Sequence, residues 1–282
     1  MIRIYPLIFI LLWSSAFITT KPIVDNSDPF AALALRFFFV ALGFYFFSFY
    51  LNQSLITNKR KIAEAVLSGV LFHGFYLGGV FYSISIGMPV GIAALIVTLQ
   101  PVLTNILSGP ILDEKITTQQ WIGVLLGFTG ASLVLGLDIG SGIPLLGLIA
   151  TIIALLSITI STIWQKKISK NLPLSVSNFY QAFGGCLFHV LIVIFFAEPY
   201  INFNKVFIIA MSHQVLLVSF GAFTILMLLI KKNSASKTVS IFFLIPSTSA
   251  LMAWFFLNEK LTNLDIVGFI VTSVGVYIAT RD

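Results

Sequence analysis

The sequence predicts an all-α membrane protein whose ten transmembrane helices form two inverted five-helix repeats around a central cavity. Three observations carry that prediction. Hydrophobic residues make up 58% of the chain and charged residues 9%, with a mean hydropathy of +1.03, whereas a soluble domain holds about 25% charged residues. Ten apolar stretches approach the length of about 20 residues that a helix needs to cross a bilayer core. Finally, one phrase is written twice: Leu99, Pro101, Leu112, Glu114, Lys115, Thr117, Gly123 and Gly130 recur 145 positions later as Leu244, Pro246, Leu257, Glu259, Lys260, Thr262, Gly268 and Gly275. That offset is about half of the 282 residues and divides the chain into repeats at 1–137 and 144–282.

Span 1 covers 4–20. Arg3 ahead of it and Ser14, Ser15 and Ala16 near its end imitate a signal peptide, but Trp13 stands where cleavage wants a small residue and nine spans follow. Span 2, 31–51, follows Asp28-Pro29 and carries Arg36; span 3, 63–83, carries His73, Tyr76 and Tyr82. Span 4, 91–109, holds Pro101 near its middle, and span 5, 119–136, holds Gly123, Gly127 and Gly130, small residues that let helices approach closely within one chain or between two. Span 6, 145–164, carries Thr159, Ser161 and Trp164. Span 7, 176–197, carries Tyr180, Gln181, His189 and the lone Cys186, which can form no internal disulfide. Spans 8, 9 and 10 are 208–229, 237–257 and 264–280, with Pro246 midway along span 9. Runs such as Phe37-Phe38-Phe39-Val40 do not alternate, which excludes a transmembrane barrel.

Charge sets the orientation. With the first residues inside, 12 of the 16 Lys and Arg fall in inner segments, while Lys21, Lys205 and Lys260 fall outside. The positive-inside rule therefore predicts that both termini are cytoplasmic. The basic residues behind the net charge of +6 are dispersed among short loops, so a nucleic-acid partner is not expected; the expected partners are the lipid bilayer and a small-molecule substrate. Five spans per repeat is an odd number, so the Glu114-Lys115 turn lies inside and Glu259-Lys260 outside. Inverted repeats of this kind build secondary transporters with a site near the midplane.

The chain resembles the drug/metabolite transporter superfamily, specifically its EamA-type ten-helix members. The resemblance rests on Leu12-Trp13-Ser14-Ser15-Ala16-Phe17, Asp28-Pro29-Phe30 to Leu35-Arg36-Phe37, Leu99-Gln100-Pro101, Leu112-Asp113-Glu114-Lys115-Ile116-Thr117 and Gly123 to Gly130. The second copy supplies Ser234-Ala235-Ser236-Lys237, Leu244-Ile245-Pro246, Phe256-Leu257-Asn258-Glu259-Lys260-Leu261-Thr262 and Gly268 to Gly275. Ser14 stands where family members often carry glycine. The resemblance implies export, less often import, of small metabolites such as amino acids across a bacterial inner membrane. A non-transporting assembly partner is a weaker alternative, because it leaves the paired prolines unmotivated.

The expected substrate cavity draws on Trp13, Ser14, Arg36, His73, Tyr76, Thr98, Gln100, Asn105, Gln181, Ser247 and Thr248. Trp13 and Gln100 are the foremost candidates. Pro101 and Pro246 are expected to kink helices 4 and 9, freeing the carbonyls of Val97 and Phe242. Arg36, seven residues past Pro29, has two open readings. It snorkels outward to Asp25 or Asp28, or it faces the cavity to meet an anionic group or to latch Glu259. Its counterpart in the second repeat is Gln181. Glu114, Lys115, Glu259 and Lys260 are possible gates or caps. Capping is the simpler account, since Thr117 with Gln120 and Thr262 with Asp265 fit capping boxes at helices 5 and 10. No Asp or Glu lies mid-span, so a proton relay would need His73 or His189. The sequence has no phosphate loop, zinc spacing or nucleophile elbow, so neither enzyme chemistry nor a cofactor or metal is expected. Whether the protein is a monomer or a homodimer stays open.

Overall fold

The computed structural model describes residues 4–56, 58–135, 143–168, 171–196, 198–257 and 262–281. Helices fill all ten expected stretches. They are α1 Tyr5–Val24, α2 Pro29–Tyr50, α3 Lys59–Ser85, α4 in two pieces (α4a Val90–Val97 and α4b Gln100–Leu112) and α5 Thr118–Leu135. The second half repeats the series with α6 Leu145–Ile168, α7 Leu174–Phe196, α8 Lys205–Lys232, α9 in two pieces and α10 Asn263–Thr280. In α9, Ala235–Ser240 (α9a) joins Leu244–Leu257 (α9b) through a tight 3-10 turn at Ile241–Phe243. Among the described residues, nine helices are long and apolar enough to cross a membrane. The tenth, α5, opens on the polar Thr118-Gln119-Gln120. Among the described residues the one trace of β structure is a bridge between Ser27 and Ile201.

The starts of the helices are written in their capping residues. Asp28 accepts from the Ala31 amide at 2.7 Å to open α2, with Pro29 in the first turn where its missing N–H costs nothing. Thr117 and Gln120 bond reciprocally at α5, as do Thr262 and Asp265 at α10.

The helices pair as an inverted duplication requires. Two of them pack against their own counterparts, α2 on α7 and α5 on α10. Likewise α1 packs on α8 and α9, as α6 packs on α3 and α4. The glycines of α5 serve this contact within the chain. A Cβ added to Gly123 would lie 2.4 Å from the Ala279 nitrogen, and one on Gly275 would lie 2.4 Å from the Gly127 nitrogen.

Two irregularities repeat along with the helices. In α3 the segment Val70–Tyr76 is wound as a wide π-helical turn, and in α8 so is Gln214–Ala222. Both occur at the common offset. The breaks in α4 and α9 also match, but they differ from the expected kinks. Pro101 lies in the first turn of α4b, after a break at residues 98 and 99, so it begins a new helical piece instead of bending a continuous one. Pro246 lies in the first turn of α9b, just past the 3-10 turn.

Candidate functional site

α1 starts and α10 ends on one face of the bundle, the terminal face; the Ser27–Ile201 bridge lies on the far face. A cavity of about 650 Å³ reaches from the broken helices toward the far face. Its walls are Trp13, Ile18, Lys21 and Pro22 of α1, Tyr76 of α3, Val90, Ala94, Val97 and Thr98 at the α4 break, and Val134 and Leu135 of α5. Phe242, Ile245, Pro246, Ser249 and Ala250 of α9 complete it. Lys21 pairs with Asp25 at 2.5 Å. A smaller cavity of about 40 Å³ abuts the first at Trp13 and Tyr76, and Arg36, His73, Gln214 and Ser219 are among its lining residues.

Trp13 sits in an aromatic cluster, 5.2 Å from the Phe9 ring, 5.8 Å from Phe242 and 6.1 Å edge-on to Phe72. Such offset geometry is the favoured one for aromatic rings. The wide turn of α3 places His73 and Tyr76 on the small cavity, and that of α8 places Gln214 and Ser219 opposite.

Arg36 does not snorkel. Asp28 is occupied capping α2 and Asp25 holds Lys21, while Arg36 turns inward, 4% exposed, and donates from Nε to Ser219 Oγ at 2.9 Å. Glu259 and Lys260, and with them the suggested Arg36–Glu259 latch, lie outside the described residues.

Of the other expected cavity residues, Thr98 lines the large cavity, and six do not line either one. Ser14 donates to the Ile245 carbonyl at 3.3 Å, tying α1 to the α9 break. Gln100 is fully buried and its amide nitrogen donates to Thr162 Oγ1 at 3.0 Å. Asn105 accepts from Ser236 Oγ, and Gln181 bonds Ser68, Gln165 and Ser177. Ser247 is buried without a partner for its hydroxyl among the described residues. Thr248, half-buried, also lies off both linings, whereas Ser249 beside it lines the large cavity. His189 donates from Nε2 to the His73 carbonyl at 2.9 Å and lines neither cavity.

On the terminal face the pathway is sealed, and the seal is polar. Gln100, Thr104, Asn105 and Ser108 run down one face of α4b, all buried, each with a polar atom that lacks a partner among the described residues. Below them the Glu114 carboxylate accepts from the amides of Ala235 at 2.7 Å and Ser236 at 3.3 Å. Glu114 thus reaches across to the start of α9a rather than resting at the start of α5, its expected place. Lys166 Nζ donates to the carbonyls of Ile230 at 3.0 Å and Asn233 at 2.5 Å.

The open wall and the sealed stripe are the same positions in the two repeats. Ile245, Pro246, Ser249 and Ala250 line the large cavity, and 145 residues earlier stand Gln100, Pro101, Thr104 and Asn105, all closed off. Val90, at the cavity mouth, is the counterpart of Ala235, which Glu114 holds.

Sequence reasoning missed Gln214 and Ser219. They stand five apart, the spacing that brings residues together on a π-helical turn, whereas a scan at α-helical spacing separates them. Replacing Pro246 with alanine restores an amide donor inside α9b and lets the helix wind on through the break. The expected outcome is loss of most solute exchange in loaded vesicles with expression kept; unchanged exchange would contradict it.

The model of the EamA-like transporter family matches residues 3–136 and matches again at 145–281. The chain belongs to that family. Relatives of this EamA-like transporter include YvbV, an uncharacterized transporter of Bacillus subtilis, 28% identical over 76% of this chain and 69% of the relative. A probable amino-acid metabolite efflux pump of Escherichia coli is 22% identical over 96% of this chain and 92% of its own. One solved crystal structure superposes with a TM-score of 0.82 at 17% identity, covering 99% of this chain and 97% of the other, which shows a shared fold. The EamA-like protein is therefore an integral membrane transporter and not an enzyme.

Proposed function

We propose that this EamA-like transporter is a secondary-active carrier that moves a small amphiphilic metabolite, an amino acid or a related compound, out of the cell across a bacterial inner membrane by alternating access. The observation that carries the reading is the twinning of the open wall with the sealed stripe. An unpartnered polar group buried in protein costs about 1–3 kcal/mol. Four such residues on one face of α4b are costly in a permanent seal and useful in a wall that is wetted in another state. When the repeats exchange conformations, Gln100, Thr104 and Asn105 take the places now held by Ile245, Ser249 and Ala250, and the cavity opens to the terminal face. The distribution of basic residues supports a cytoplasmic terminal face. The E. coli relative's name supports amino-acid metabolites and the outward direction.

Single cysteines test it in a Cys186→Ala background with a membrane-impermeant maleimide. Ser249→Cys is expected to label from outside and Thr104→Cys from the cytoplasmic side, each protecting at the other's expense as solute gradients are reversed. Labelling of both positions from one side overturns the inverted arrangement. Counterflow that fails for every member of a metabolite panel overturns the carrier.

A further inference from the structure

We propose that the small cavity around Arg36 is a head-group site for one carboxylate, and that the cargo is an amphiphilic acid without a free ammonium group. The inference rests on the carrier reading above and, within it, selects the related compound over the free amino acid. Arg36 enters the bundle on α2, roughly 10 Å below the far face at the helical rise per residue, and is almost wholly buried. Among the described residues no carboxylate lies within ion-pair distance of it. Its Nε is committed to Ser219, and among the described residues no other hydrogen bond engages the guanidinium, which leaves the two terminal nitrogens for the cavity that Arg36 lines. A planar fork with one tooth fixed is suited to two parallel bonds from a carboxylate.

Its surroundings match an anion. Both ring nitrogens of His73, which lines the same cavity, are buried without partners among the described residues, and an imidazole carries at least one N–H to offer. The volume of about 40 Å³ admits a group the size of a carboxylate or a few waters, and not a cargo body. The body has its own place beyond Trp13 and Tyr76, in the large cavity, whose walls at Val97, Phe242 and Ile245 are apolar. Neither cavity is lined by an Asp or Glu among the described residues, and Lys21 is the other charged wall residue. An α-ammonium group would enter a site of net positive charge with no acidic partner. The counterpart Gln181 is neutral and its amide is already bonded to Ser68, Gln165 and Ser177, so recognition of charge belongs to the first repeat alone.

The test is a thermal-shift titration of the detergent-purified full chain with three probes of one carbon skeleton, 4-methyl-2-oxopentanoate, leucine and leucinamide, followed by counterflow in proteoliposomes. The oxo acid is expected to bind, leucine to bind about tenfold or more weakly, and leucinamide not at all. Arg36→Lys is expected to weaken the acid about tenfold or more, the usual cost of losing a bidentate charged contact. Arg36→Gln installs the second repeat's residue and removes a buried charge that has no carboxylate partner among the described residues. It is expected to unfold at the wild-type temperature or above while losing the acid, whereas a merely structural arginine would lower that temperature. Ser219→Ala keeps the charge and is expected to weaken the acid several-fold.

Equal binding of leucinamide, retained acid affinity in Arg36→Gln, or no acid bound up to about 10 mM, above the usual substrate range, overturns the proposal. An acid that binds through Arg36 yet shows no counterflow would leave this site standing and remove the carrier. Counterflow of neutral or cationic solutes with no acid binding would do the reverse.

Discussion

Gly275→Leu is expected to remove folded protein from the membrane. A Cβ at this position would sit 2.4 Å from the Gly127 nitrogen and 2.8 Å from the Gly123 carbonyl oxygen, both backbone atoms of α5. Overpacking that side chains can absorb costs about 1–3 kcal/mol. Here whole helices must part, so the cost is about 3 kcal/mol or more against a typical total stability of about 5–15 kcal/mol. The control is Gly109→Ala, where the nearest atom to an added Cβ is the Glu114 carbonyl oxygen at 3.7 Å, an ordinary contact. Size-exclusion profiles and thermal midpoints of the two detergent-solubilised variants decide the matter. A monodisperse Gly275→Leu protein melting with the wild type would show that α5 and α10 do not pack as described.

Glu114→Gln is expected to shift the protein toward the state open on the terminal face. The carboxylate holds the amides of Ala235 and Ser236 through both of its oxygens. An amide side chain retains one acceptor and turns an NH₂ toward the second donor. A hydrogen bond to a charged group is worth about 1.5–3 kcal/mol, which as a bias between two states is about 10- to 100-fold. On the alternating-access reading proposed above, the lost contact belongs to the sealed state, so the loss falls on that side of the equilibrium. Maleimide labelling of Thr104→Cys is expected to rise and labelling of Ser249→Cys to fall, with fold and expression unchanged. Equal labelling rates with and without Glu114 would assign the contact to static capping.

The ten spans were legible because nothing but a bilayer accounts for so many apolar runs separated by basic turns. The capping boxes at Thr117 and Thr262 were legible because local hydrogen bonding depends on neighbours in sequence. Which polar residues face the pathway was not. Gln100, Thr98 and Ser249 lie on broken helices whose rotation is set by tertiary packing, and a break at residues 98 and 99 turns Gln100 toward Thr162 and away from the cavity. For Arg36 the sequence offered two directions, and the choice depended on Ser219, 183 residues away. Glu114 misled for a related reason. The nearest helix start in sequence is α5, but the one its carboxylate reaches belongs to the other repeat.

The wide turns at Val70–Tyr76 and Gln214–Ala222 have a consequence for how this chain tolerates change. A turn closed by i→i+5 bonds houses one surplus residue, and the 145-residue spacing runs through both turns without a gap, so the two halves inherited that surplus together. Excising one residue from either turn would swing everything downstream on that helix by about 100°, carrying Tyr82 or Thr224 off its neighbours along with the rest. Indels in these two places, far more than point replacements, are therefore the lesions that descendants of the ancestral half could not have survived singly.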